Sequence, residues 1–200
     1  MKYDRVFTKE FKDIATIEYG VIKGNNTVVF IKVGQDGSIY GYQDKYLKIA
    51  TNLNNKCGYT VIVASNPFDG NNPLNHDMDV VKNYCKQEKI KRYNVYYMGH
   101  SNGARIGLYW GYAQPRIKKM LLINSPLMMN LHNIKEGLKK CENKDIYLVY
   151  GKNDPSFVYT TLLDRILNDN IKLDIIPKAD HHFTNMLEEY IELPEKYFKK

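Results

Sequence analysis

The chain has 200 residues, which fits one folded domain, and we expect a single domain over residues 1–200. Its hydrophobic fraction of 44% and charged fraction of 26% are ordinary for a globular protein and exclude a disordered chain. The formal net charge is +7, but the basic residues occur as short pairs spread along the sequence, such as Lys91-Arg92 and Lys139-Lys140. Because nucleic-acid binding needs a clustered basic patch, we expect no nucleic-acid partner.

The sequence also indicates the surroundings of the protein. Residues 1–12 lack the apolar core of a signal peptide, and no run approaches the ~20 apolar residues that a membrane helix needs. The cysteines, Cys57, Cys85 and Cys141, are odd in number and far apart in the sequence. Together these features predict a cytoplasmic protein with free thiols and no membrane span.

Apolar runs rich in β-branched residues alternate with stretches of helical spacing along the chain. An alternating run over Ile14–Ile22 opens the pattern. The elements predicted after it are, in chain order, strand Thr27–Val33, helix Tyr42–Lys56, strand Tyr59–Ser65, helix His76–Lys89, strand Asn94–Met98, helix Asn102–Tyr112, strand Lys119–Asn124, helix Leu131–Lys140, strand Asp145–Tyr150, helix Ser156–Leu167, strand Lys172–Ile176 and helix Thr184–Phe198. Pro194 is expected to end or kink the last helix.

Continuous apolar strands joined by helices predict an α/β fold, in which a mostly parallel sheet is covered by helices on both faces. Residues 3–22 carry no helix signal and are expected to form an antiparallel edge. In open sheets of this kind, ligands bind in the crevice at the carboxyl ends of the strands. Candidate functional residues are therefore sought in the segments that directly follow each strand.

The segment after the strand Asn94–Met98 reads GHSNG at positions 99–103, a G-x-S-x-G pattern between a strand and a helix. A nucleophile in so sharp a turn has a strained backbone, and side chains two positions to either side would clash, so both are glycine. The turn places Ser101 at a helix N-terminus, where free N–H groups favour a developing negative charge. Ser101 is therefore the candidate nucleophile.

The order of three motifs resembles the α/β-hydrolase family, in which the serine is followed by an acid and then a histidine. The family's acid follows the next strand but one, which matches Asp154 in the loop GKNDP at 151–155. The family's histidine follows the final strand, which matches His181 in the loop ADHHF at 179–183. The resemblance implies a three-layer α/β-hydrolase sandwich with the triad Ser101, Asp154 and His181. Since the strand Lys119–Asn124 and the next strand are separated by a short segment with one helix, no cap domain is expected.

Neighbouring residues compete for two of these roles. His182 is the alternative base, but the family's histidine commonly follows a Gly or an Asp directly, which favours His181. Asp180 is the alternative acid, but a residue adjacent to the base cannot easily turn back to it. His100, at the variable position of the G-x-S-x-G motif, is interpreted as a packing residue beside the nucleophile.

The resemblance also implies an oxyanion hole made of two backbone N–H groups. One belongs to Asn102, which follows the nucleophile, and the other is matched to Gln35 in the loop after the strand Thr27–Val33. Many relatives carry His-Gly where this chain has Val33-Gly34. Asp36 is expected to face away, because its charge would oppose an oxyanion.

The long loop after the strand Tyr59–Ser65 is expected to rim the pocket, with Asn66 and Phe68 as substrate contacts. A solvated loop without a ligand is an equally good interpretation of its composition. His76, Asp77 and Asp79 could suggest a metal, but they are better interpreted as residues at a helix start, where acids are favoured by the helix dipole. No metal or cofactor is therefore expected.

These residues predict a serine hydrolase that cleaves a carboxylic ester or thioester of a small-molecule acyl substrate through an acyl-enzyme. The alternative within enzymes is an amidase or peptidase with the same triad. The alternative outside enzymes is a non-catalytic interaction protein on a hydrolase scaffold, since a fold does not imply a function.

Overall fold

The computed structural model describes residues 1–12, 14–67 and 73–199. Within these residues the protein forms a sheet of eight strands. The strands are β1 Arg5–Phe11, β2 Ile14–Ile22, β3 Thr27–Lys32, β4 Thr60–Ala64, β5 Asn94–His100, β6 Ile117–Ile123, β7 Asp145–Gly151 and β8 Ile171–Ile176. The helices are α1 Lys45–Cys57, α2 Pro73–Gln87, α3 Asn102–Trp110, α4 Leu131–Lys139 and α5 Leu187–Phe198, with 3₁₀ turns at Tyr42–Asp44, Gly111–Ala113 and Phe157–Leu163.

The strands follow one another across the sheet in the order β1-β2-β4-β3-β5-β6-β7-β8. All neighbours from β4 to β8 pair in parallel, while β1 and β2 pair antiparallel with each other and β2 pairs antiparallel with β4. Apolar side chains of α2, α3 and α4 pack in one buried cluster on one face. Those of α1 and α5 pack in a second cluster on the other face. The predicted three-layer α/β sandwich with an antiparallel edge is confirmed.

The parallel strands are where the sequence placed them because their side chains are buried on both faces. All five residues of β4 are buried, and so are the last five of β3 and the last six of β7. Such strands appear in a sequence as nearly unbroken apolar runs, which are easy to recognise. Between β6 and β7 the chain makes a turn and α4, without an inserted domain, so the carboxyl ends of the strands stay uncovered there.

The prediction of a helix over Ser156–Leu167 was wrong, because the structure has only the 3₁₀ turn Phe157–Leu163 there. Val158, Thr160 and Thr161 are β-branched and lose side-chain freedom in a helix. The hydroxyl of Thr160 donates to the carbonyl oxygen of Phe157 at 2.7 Å, a local bond that competes with helix formation.

The helix predicted over Thr184–Phe198 begins only at Leu187, because Asn185 has φ 58, which a right-handed helix does not allow. Pro194 does not end it. The helix continues past this proline to Phe198, although the carbonyl oxygen of Tyr190 loses its usual N–H partner. Pro194 is buried with the apolar face of α5, so packing offsets the lost bond. No described helix is long and apolar enough to cross a bilayer.

A fully buried ion pair joins β3 to α2. The ammonium of Lys32 lies 3.0 Å from Asp77 Oδ2 and donates to the carbonyl oxygen of Ser65 at 3.0 Å. The hydroxyl of Tyr19 donates to Asp77 Oδ1 at 2.8 Å. Helix α2 begins three residues earlier than predicted, so Asp77 does not belong to the acids of a first turn. It instead anchors α2 to the end of β3, directly before the loop that faces Ser101.

We expect Lys32→Met to lower the free energy of unfolding by about 3–5 kcal/mol, because it leaves the buried carboxyl group of Asp77 without its cation. Urea denaturation measures the difference. The double variant Lys32→Met/Asp77→Leu should recover most of the loss, since it removes both charges. A loss below about 1 kcal/mol in the single variant would show that the pair is not a determinant of stability.

Candidate active site

The turn between β5 and α3 holds Ser101 in a strained conformation, with φ 53 and ψ −119. The flanking glycines make this turn possible. A Cβ on Gly99 would lie 2.5 Å from the backbone nitrogen of Ala104, and one on Gly103 would lie 2.1 Å from the carbonyl oxygen of Lys32. Neither position tolerates a side chain. The close packing of strand, turn and helix therefore raises the Ser101 hydroxyl above the carboxyl end of the sheet.

Three side chains from separate loops meet at this hydroxyl. The Oγ of Ser101 lies 2.9 Å from His181 Nε2, and His181 Nδ1 lies 2.6 Å from Asp154 Oδ2. Because the carboxylate can only accept, Nδ1 carries the proton, and the lone pair of Nε2 faces the serine. Asp154 Oδ1 accepts the backbone N–H of Ser156 at 2.6 Å, which fixes the carboxylate. The serine therefore has a base in contact, oriented by a buried acid, as nucleophilic catalysis requires.

The competing residues do not make these contacts. His182 is exposed and packs edge-on against the His181 ring with centroids 5.0 Å apart. Its partial burial, and then the proximity of His181 and Lys45, lower its pKa. Asp180 Oδ1 accepts the backbone N–H groups of His182 at 3.0 Å and Thr184 at 2.9 Å, so it closes its own loop. Among these neighbours, the structure brings His181 and Asp154 to Ser101.

The loop after β3 lies against the nucleophile. A Cβ added to Gly34 would lie 3.5 Å from the Ser101 Cβ, so a larger residue there would stand over the serine. The N–H groups of Gln35 and Asn102 donate to no protein acceptor in the described part of the chain, and both are therefore available to a ligand. Asp36 is exposed, and its backbone N–H donates to the carbonyl oxygen of Asn66 at 2.8 Å.

Asn66 is only 2% exposed, and its amide donates to the carbonyl oxygen of Val33 at 2.9 Å. Its backbone N–H donates to the carbonyl oxygen of Gly37 at 3.2 Å. These bonds favour a role in shaping the loop after β3 over direct contact with a substrate. Phe68, the other predicted contact, lies outside the described residues.

Asn124 was not predicted from the sequence as a residue of the site. Its Oδ1 accepts the N–H of Gly151 at 2.9 Å, at the start of the loop that carries Asp154. Its Nδ2 donates to the carbonyl oxygens of Asp180 at 3.0 Å and His181 at 3.1 Å. One fully buried amide thus joins the loop of the acid to the loop of the base. A polar residue at the end of an apolar strand was the only signal for it in the sequence.

His100 also holds the main chain of His181. Its Nε2 donates to the same carbonyl oxygen of His181 at 2.8 Å, and its Nδ1 faces the hydroxyl of Tyr46 at 3.4 Å. Burial, and then the charge of Lys45, lower the pKa of His100 to about 3, so the ring stays neutral at physiological pH. It packs beside the nucleophile, as the sequence predicted, and its bond to the carbonyl oxygen of His181 also positions the base.

The sequence matches no protein-family model and no curated protein sequence. Solved structures do match it in fold. Est1E from Butyrivibrio proteoclasticus is 15% identical and superposes with a TM-score of 0.76 over 96% of this chain and 97% of that one. The Pyrococcus furiosus esterase Pf2001 is 15% identical, with a TM-score of 0.74 over 98% of this chain and 91% of that one.

A third match is XC6422 from Xanthomonas campestris, described as an a/b serine hydrolase without a lid. It is 16% identical, with a TM-score of 0.70 over 98% of this chain and 94% of that one. The protein has the α/β-hydrolase fold. Its lidless form agrees with the short connection between β6 and β7. At such identities the likeness covers the α/β-hydrolase fold alone, so the chemistry of this chain is argued from its own geometry.

The role of Asn124 can be tested through the reactivity of Ser101 with a fluorophosphonate. We expect Asn124→Asp to slow labelling about tenfold or more, because a carboxylate keeps the acceptor for Gly151 but repels the carbonyl oxygens of Asp180 and His181. Labelling rates should be compared at a temperature where circular dichroism shows both proteins folded.

Asn133→Asp is the matched control, because it adds the same charge at an exposed position of α4. It should label at the wild-type rate. Labelling of a folded Asn124→Asp protein at the wild-type rate would show that this amide does not position the base.

Proposed function

We propose that the protein is a serine hydrolase that cleaves a carboxylic ester or thioester through an acyl-enzyme on Ser101. One observation carries this proposal: Ser101, His181 and Asp154 form an unbroken chain of hydrogen bonds at the carboxyl ends of the strands. Asp154 is fully buried, whereas the His181 side chain is 30% exposed and can meet a substrate.

In the first half of the reaction, Ser101 Oγ attacks the carbonyl carbon of the substrate while His181 Nε2 takes the hydroxyl proton. The carboxylate of Asp154 stabilises the imidazolium that forms. The carbonyl oxygen becomes an oxyanion, which accepts hydrogen bonds from the N–H groups of Asn102 and Gln35. The N-terminal end of α3 adds a favourable field at the same place.

The tetrahedral intermediate then collapses. The bond from carbon to the leaving oxygen or sulfur breaks, and His181 Nε2 returns its proton to the departing alcohol or thiol. A water molecule next attacks the acyl-enzyme, with His181 Nε2 taking one of its protons. Release of the acid returns the proton to Ser101 and restores the starting state.

The surroundings of Ser101 favour small substrates with an apolar part. Several large apolar side chains are exposed on the loops after β6 and β7, which are also the loops that carry Asn124 and Asp154. They are Met128, Met129, Val158, Tyr159 and Leu162. The N–H of Leu127 donates to Ser156 Oγ at 3.2 Å, so the two loops are joined. Exposed apolar side chains on two joined loops are typical of a binding surface.

Two further observations support the assignment. Pf2001, which shares the fold of this chain, is named an esterase, and XC6422 is named a serine hydrolase. All three cysteines are free thiols, which agrees with a reducing compartment such as the cytoplasm.

The test is labelling by a fluorophosphonate combined with hydrolysis of para-nitrophenyl acetate and butyrate and of an acyl thioester. We expect Ser101→Ala to abolish labelling and hydrolysis, and His181→Ala to reduce the rate of acylation at least about a thousandfold. Butyrate should be cleaved with a higher kcat/KM than acetate, because the longer acyl group buries more apolar surface.

His182→Ala is the control for His181→Ala and should retain most of the wild-type rate. Labelling without ester or thioester hydrolysis, but with cleavage of an anilide, would replace the esterase by an amidase or peptidase. Failure of the folded wild-type protein to label at all would favour a non-catalytic interaction protein.

A further inference from the structure

Lys45, the first residue of α1, is a buried cation beside the active site. The residue as a whole is only 8% exposed. Some described side-chain atoms lack both contact with solvent and a hydrogen-bond partner, and the ammonium of Lys45 is not one of them. No carboxylate in the described part of the chain pairs with it, and it donates no hydrogen bond there. Its charged end therefore reaches solvent. A lysine that is buried along its length but open at its charged end is positioned to meet a ligand.

The surroundings of this ammonium compensate its charge only in part. It lies 4.9 Å from the ring centroid of Tyr190 and 5.1 Å from that of Tyr46, distances at which aromatic faces attract a cation. Burial nevertheless lowers the pKa of Lys45, which shows that the protein disfavours its charged form. An anion at this place would supply the missing partner.

The position of Lys45 at the start of α1 also disfavours its charged form. The N-terminal turn of a helix carries a partial positive charge, so a lysine there is destabilising. The first turn of α1 contains no acidic residue to offset it, and the Asp44 side chain makes no capping bond to the helix. The backbone N–H groups of Lys45 and Tyr46 already donate to the carbonyl oxygens of Tyr42 and Tyr40, so an anion here would be held by the ammonium and not by the helix end.

Ring contacts link this point to the catalytic residues. The Tyr190 ring packs edge-on against His100, with centroids 5.6 Å apart, and His100 lies 5.4 Å from the ring of His181. The charge of Lys45 lowers the pKa of both His100 and His182, although burial is the larger cause for each. Lys45 is therefore on the α1 side of the site.

The exposed apolar side chains belong to other segments, the loops after β6 and β7. Strand β5, which carries Ser101, runs between β3 and β6. The loop that leads to α1 follows β3, while Met128 and Val158 belong to the loops after β6 and β7. The charged residue and the apolar side chains therefore belong to different segments of the chain around the nucleophile.

Resting on the proposed hydrolase function, we propose that Lys45 binds an anionic group of the substrate, a carboxylate or a phosphate. The substrate is then an ester or thioester with an apolar part at one end and a negative charge at the other. Because the anion partners a cation that is otherwise unpaired, Lys45 selects charged over neutral esters.

Three esters test the selection: para-nitrophenyl butyrate, which is neutral; mono-para-nitrophenyl succinate, charged on the acyl part; and the butyrate of meta-carboxy-para-nitrophenol, charged on the leaving group. We expect Lys45→Met to raise the KM of one of the charged esters about tenfold more than that of the neutral ester, the loss expected for one hydrogen bond between charged groups. Which charged ester responds tells which end of the substrate faces Lys45.

Lys48→Met removes the same charge from a half-buried position on the same helix and should leave all three KM values unchanged. Equal effects of Lys45→Met on the three esters would overturn the proposal. A fall in thermal stability of Lys45→Met without a change in preference would also overturn it, because the residue would then belong to the core.

A binding measurement separates this proposal from the proposed function. Inorganic phosphate, added at constant ionic strength, should raise the Tm of the wild-type protein and of Ser101→Ala, and raise it less in Lys45→Met. If none of the esters is cleaved, this difference still decides whether Lys45 binds an anion. An equal rise in Tm in all three proteins would mean that phosphate does not use this residue.

Discussion

The geometry of the site depends on where the main chain of His181 is held. Its carbonyl oxygen accepts hydrogen bonds from His100, which precedes the nucleophile, and from Asn124 at the end of β6. The same Asn124 side chain accepts the N–H of Gly151, at the base of the acid's loop. Loops after β5, β6, β7 and β8 are thereby tied at one point. A base 2.9 Å from its nucleophile and 2.6 Å from its acid requires such ties, because errors of about 1 Å are costly in catalysis.

These hydrogen bonds place polar groups in the interior of the protein. Unusual backbone conformations allow the groups to reach their partners. Ser101 and Asn124 both have positive φ, at 53 and 48, next to one another across β5 and β6. Such conformations cost about 1–3 kcal/mol each and persist only where the surrounding structure imposes them. Here the imposing contacts are the close approach of Gly103 to the carbonyl of Lys32 and the bond from the Ser101 N–H to the carbonyl of Ile123 at 2.9 Å.

Much of this was predictable from the sequence because it depends on local chemistry. Buried parallel strands form apolar runs, and a nucleophile in a tight turn needs Gly99 and Gly103, so the sheet and Ser101 could be identified. The order of motifs then gave Asp154 and His181. Asn124 was not identified, because its partners are far away in the sequence and nothing local marks a bridging amide. The prediction of a helix over Ser156–Leu167 was wrong for the opposite reason. The apolar spacing of the segment indicated a helix and was given more weight than the β-branched residues that prevent one.

Lys32 and Lys45 show how the same residue type, when buried, serves different ends. Lys32 is enclosed and paired with Asp77, and this ion pair holds β3 to α2. Lys45 is 8% exposed and has aromatic faces in place of a carboxylate, at the helix end where a cation is least favourable. A contact selected for stability alone would resemble the first. The second leaves a cation without a carboxylate partner, a role that an anionic substrate would fill.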